Sequence, residues 1–84
     1  MNKREFLKQL ELVRLATEQL PEGAELDGCW VKCGRTPNII LKRGITEAAA
    51  AFGAEGARAI GSGESRVLFF NFGPLRVVQD APER

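Results

Sequence analysis

The sequence predicts an α+β domain, a mostly antiparallel four-stranded sheet packed by two helices in the order αββαββ. Three observations carry this expectation. Apolar residues recur at the helical period near the N-terminus. Two pairs of β-rich segments are each joined by turn chemistry. An alanine-rich run with a capping residue before it separates the two pairs. The 84 residues make one domain, 1–84, with 1–2 and 80–84 expected as loose termini.

Residues 3–20 read as the first helix. Phe6, Leu10, Val13, Thr17 and Leu20 fall on one face, and Arg4, Lys8, Glu11, Arg14 and Glu18 on the other. Pro21 and Gly23 end it. Leu15 lies about 180° from Phe6 on a wheel of 3.6 residues per turn, among the charges, and is a candidate partner contact.

"CWVKCG" and "NIILK" read as the first hairpin, with "GRTPN" as its loop. Alternation puts Cys29, Val31 and Cys33 on one face, and Trp30 and Lys32 on the other. Four residues at about 3.3 Å each separate the cysteines by roughly 13 Å. That is too far for a disulfide, whose Cα atoms lie within about 7 Å, or for one shared zinc ion. Both cysteines are therefore expected as small core hydrophobes.

Thr46 is the expected N-cap of the second helix, with Glu47 in the first turn. The run "EAAAAFGAEGARAI" either continues as helix, weakened by Gly53 and Gly56, or stops at Gly53. "RVLFFNF" and "LRVVQ" form the second hairpin about Gly73-Pro74. Val67 and Phe69 face one way there, and Leu68, Phe70 and Phe72 the other. Two helices leave part of this doubly apolar strand uncovered, so Leu68, Phe70 and Phe72 are the expected homodimer interface.

Histidine and tyrosine are both missing. The commonest general base and the commonest zinc ligand go with the histidine. "GSGES" lacks the lysine and following Ser or Thr of a phosphate loop, and Ser62 and Ser65 have no histidine to activate them. No catalytic residue, metal ligand or cofactor is assigned, and the expectation is a non-enzyme. "RVLFFNFG" departs from RNA-recognition strands, because Val67 and Leu68 stand where a glycine would. The Ala49–Gly53 spacing of a helix-turn-helix is followed by a single cation, Arg58, too few for a recognition helix. No run approaches the roughly 20 apolar residues of a membrane span, and the charged N-terminus is unlike a secretory signal. A cytoplasmic location without a membrane partner is expected.

The net charge of +1 is unevenly distributed. Four cations against six acids leave residues 1–27 at −2, whereas seven against three leave residues 28–78 at +4. Gly28–Gly44 contains no acid at all. Trp30, Lys32, Arg35, Lys42 and Arg43, with Leu15, are the candidate partner-binding residues, since tryptophan and arginine dominate interface hot spots. The expected function is a small protein-binding module that regulates or inhibits a larger machine, a class that includes phage-encoded host-factor and anti-defence inhibitors. The alternative is a nucleic-acid-binding module using the basic 28–44 hairpin.

Overall fold

The computed structural model describes residues 2–32 and 34–83. Its elements are α1 (Lys3–Glu18), β1 (Glu25–Trp30), β2 (Asn38–Arg43), α2 (Ile45–Ala51), β3 (Arg58–Ile60), a 3-10 turn (Gly63–Ser65), β4 (Val67–Phe72) and β5 (Leu75–Asp80). The class is α+β, as the sequence predicts. The sheet has five strands rather than four, in the order β1-β2-β5-β4-β3. All neighbours are antiparallel except β2 and β5, which run parallel at its centre.

The extra strand comes from the run that also reads as helix. Helix α2 stops at Ala51, and Gly53 follows at φ +73. The Gly53 N–H donates to the Ala50 carbonyl and the Ala54 N–H to that of Ala49, a Schellman closure that a left-handed glycine permits. Released from the helix, Arg58–Ile60 pairs with β4 at the sheet edge.

The start of α2 also differs from expectation. Its N-cap is Gly44, not Thr46, and Gly44 adopts φ +88. A Cβ at Gly44 would collide with the backbone of Gly23 and Ala24. Glycine is required there both for the left-handed conformation and for the close approach of the α1–β1 connection. Having no side chain, it cannot cap. The Gln79 side chain on β5 does so instead, accepting the Ile45 N–H at 3.0 Å. Helix α1 is capped locally, by the Asn2 side chain accepting the Glu5 N–H at 2.9 Å.

Both helices lie on one face of the sheet. Val13 and Ala16 of α1 and Ile45, Ala48 and Ala49 of α2 form one buried cluster with Ile39, Leu41, Phe70, Leu75 and Val77 of the sheet. Phe52, capping the end of α2, stacks on Phe72 with 4.7 Å between centroids and tilts against Phe70 at 5.9 Å. Phe70 is only 4% exposed and Leu68 packs against the same cluster. Of the residues expected as a dimer interface, Phe70 and Leu68 are thus turned inward under α2, whereas Phe72 at the end of the strand stays exposed.

Three further expectations change. Phe6 and Leu10, placed on the buried face of the first helix, are exposed: the covered positions of α1 are Val13 and Ala16, with Gln9 half-buried one turn before them. Cys29 shares the covered face with its partner Ile39 but is exposed, since β1 is an edge strand and ends at Trp30. Cys33 lies outside the described residues. The segment after β5 is held in place. The Ala81 N–H donates to the Arg66 carbonyl, the Glu83 N–H to that of Gly63, and Glu83 pairs with Arg66 at 3.2 Å. Among the described residues, no helix is long and apolar enough to cross a membrane.

Candidate functional site

Strand register assembles the second face of the sheet. Trp30 pairs with Asn38, Asn38 with Arg76, and Arg76 with Asn71, making one row across four strands. Gly28, Ile40, Val78, Phe69 and Arg58 make the next row across all five. Asp80, Val67 and Ile60 make a third. Paired residues share a face, so all of these point away from the helices. Among the described residues, the helix residues of the core pack on the opposite face.

The centre of this face is apolar. Ile40, Val67, Phe69 and Val78 are half-buried by their neighbours alone, while Ile60 at the edge is 51% exposed. Trp30 stands at the opposite edge, 42% exposed. Next to Trp30 on the sheet edge, Gly28 has open space where a side chain would stand, which leaves Ile40 uncovered. A shallow cavity of ≈ 240 Å³ opens between Asn38, Ile60, Val67, Phe69, Arg76 and Val78.

Arg76 crosses this surface. Its guanidinium carbon lies 4.8 Å from the Phe69 ring centroid, and its Nε donates to Asn71 Oδ1 at 3.2 Å. The stack and the hydrogen bond pre-set the guanidinium, so little freedom remains to be lost on binding a carboxylate. The ion pairs among the described residues involve Arg14, Arg43 and Arg66. Arg58, Arg76 and Lys42 take part in none of them. Strand alternation puts Lys42 on the same face as Ile40.

The candidate residues from the sequence divide. Trp30 and Lys42 belong to the uncovered face. Lys32 and Arg35 are exposed in the loop from β1 to β2, beside the Trp30 edge. Arg43 alternates to the other side and pairs with Glu25 at 2.6 Å, so its charge is compensated. Leu15 is remote. It is 43% exposed on α1, beyond the covered face, and lines a separate ≈ 350 Å³ groove with Leu12, Ala16, Phe72, Pro74 and Leu75. Phe69, Arg76, Ile60 and Arg58 belong to this face as well and are not among the candidates that the sequence offers. The alternation in "RVLFFNF" and "LRVVQ" carries the signal for Phe69 and Arg76, because both strands have an apolar second face.

Among the described residues, no group of three or more His, Cys, Asp or Glu stands close enough to hold a metal ion. No family model matches the chain, and neither does any curated protein or solved structure.

Proposed function

We propose that this chain is a non-catalytic protein-binding module of the cytoplasm. In this reading it regulates or inhibits a larger assembly by covering one of its surfaces with the open sheet face. One observation supports it above the others: an apolar sheet face without helix cover, with Trp30 at its edge and, around it, cations that join no ion pair among the described residues. Interfaces of this make-up have an apolar centre, aromatic and arginine anchors and a charged rim. The cations Arg58, Arg76 and Lys42 outnumber Asp80, so the complementary partner is an acidic protein surface with apolar side chains to fill the cavity beside Phe69.

Arg76 over Phe69, near Trp30, also supports the nucleic-acid alternative, since aromatic rings stack bases and cations hold phosphates. Three cations around Asp80, with Arg43 taken by Glu25 on the far side, make a weak phosphate grip, and the protein partner is the reading we adopt.

The test is capture from bacterial lysate with the wild type, Trp30→Ala and Ile60→Glu side by side, with and without nuclease. Nuclease-resistant capture lost in both variants, while each stays folded, is the expected result. Capture that disappears with nuclease, or submicromolar binding of the purified protein to a generic oligonucleotide at about 150 mM salt, would replace this reading by the alternative. Capture unchanged by both substitutions would remove the open face from the function.

A further inference from the structure

The ≈ 240 Å³ cavity of the open face is apolar except at one end. Val67, Phe69 and Val78, on the two strands β4 and β5, form its floor. Ile60 and Ser65 bound it on the β3 side, and Asn38 bounds it on the β2 side. Arg76 carries the one charge of its lining, and no carboxylate of the described residues lines it. Asp80, an acid of the same face, stands at the far end of β5, about 13 Å along the strand from Arg76. Across the Phe69 ring, a second cavity of ≈ 420 Å³ is lined by Arg58, Glu55 and Asn71. It presents both signs of charge and selects neither.

Arg76 is set for one kind of acceptor. The Phe69 ring and the Nε bond to Asn71 fix the plane of its guanidinium. That bond uses one of the five N–H groups and leaves the edge formed by the two terminal nitrogens. Such an edge matches the two oxygens of a carboxylate. Asn38, the register partner of Arg76 on β2, brings a side-chain amide donor to the same rim.

Size and spacing narrow the ligand further. Small-molecule sites begin at about 300 Å³, so this cavity has room for a group the size of one side chain. The cation and the apolar floor are immediate neighbours, with 4.8 Å between the guanidinium carbon and the Phe69 ring centroid. The ligand must carry its carboxylate and its apolar group equally close together. An internal Asp or Glu of an extended segment has no apolar group on its own Cα, and the next side chain on that side is about 6.6 Å away. The last residue of a chain carries both groups on one Cα.

We propose, resting on the protein-binding reading of the open face, that Arg76 and Asn38 receive the C-terminal carboxylate of the protein partner, whose last side chain is apolar and fills the cavity against Val67, Phe69 and Val78. Trp30 does not line this cavity and meets another part of the partner.

The test is titration of the purified full chain with acetyl-Gly-Gly-Phe, followed by two-dimensional proton–nitrogen NMR that includes the arginine Nε–H signals. The free acid should bind with a Kd on the order of 1 mM and shift the Arg76 Nε–H and the amides of Phe69 and Val78. The C-terminal amide of the same peptide should bind at least about tenfold more weakly, because the carboxylate is gone. So should acetyl-Phe-Glu-Gly amide, which carries the same groups on separate residues. Arg76→Gln and Arg76→Lys should each weaken the free acid roughly tenfold, since lysine keeps the charge but not the fork. Trp30→Ala should bind the peptide as the wild type does. Equal binding of acid and amide by the wild type overturns the proposal, and so does preference for the internal acid. Binding of no peptide at about 10 mM overturns it as well. Nuclease-resistant capture from lysate by a protein that ignores the peptide removes this assignment and leaves the module reading standing. Acid-selective peptide binding by a protein that captures nothing removes the module reading and keeps the carboxylate site.

Discussion

The side-chain oxygen of Gln79 accepts the backbone N–H of Ile45 at 3.0 Å, joining the end of β5 to the start of α2 across 34 positions. It does the work that Thr46 would do in a locally capped helix. Thr46 lies one residue inside the helix and is exposed. Gln79→Ala is expected to lower stability by about 0.5–2 kcal/mol, the range of a lost N-cap. Thr46→Ala should change it by less than about 0.5 kcal/mol. Urea denaturation of both variants decides the matter, and the reverse ranking would return the cap to Thr46.

Gly44→Ala is expected to be the most damaging small substitution. The added Cβ meets the backbone of Gly23 and Ala24 at a left-handed residue. Left-handed strain of about 1–2 kcal/mol adds to an overpacking cost of about 1–3 kcal/mol. Gly28→Ala provides the control, because space is open there, and it should cost under about 1 kcal/mol. Thermal melts of the pair should differ by many degrees.

Phe70→Ala should act on folding and not on assembly. Its ring is in the core against Phe52 and Val77, so truncation is expected to cost about 3–5 kcal/mol. At a concentration where the variant remains folded, its sedimentation mass should equal that of the wild type. A stable Phe70→Ala protein with altered mass would put the dimer contact back on the second hairpin.

Trp30→Ala and Arg76→Ala should behave differently in the free protein. Trp30 is an exposed edge residue, and its loss should shift stability by no more than about 0.5 kcal/mol. Arg76 loses its stack on Phe69 and its bond to Asn71, together worth about 1 kcal/mol at a half-exposed site. In binding, the order is expected to reverse, with truncation of the tryptophan anchor costing about 2 kcal/mol or more. Chemical denaturation and a titration with the captured partner measure the two quantities separately.

The sequence by itself determined what depends on neighbours a few positions apart. The helical period over Phe6–Leu20 produced α1. The paired β-rich runs with Gly73-Pro74 between the last two produced the hairpins and the α+β class, and the glycine at position 53 marked one of the two places where α2 could end. The tertiary structure decided what depends on residues far apart in the chain. Strand β4 is apolar on both faces, so a period of two marks both and ranks neither. Only the docking of α2, through Ile45, Ala48 and Phe52, selected Leu68 and Phe70 for the core and left Phe69 outside. Arg58–Ile60 is a strand because β4 offers it an edge, and no local propensity encodes that pairing. Position on a helix face likewise does not say whether a body lies opposite. Phe6 and Val13 carry the same apolar signal, yet Val13 is covered and Phe6 is exposed. Burial is a property of the assembled surface, and periodicity only proposes which side should receive it.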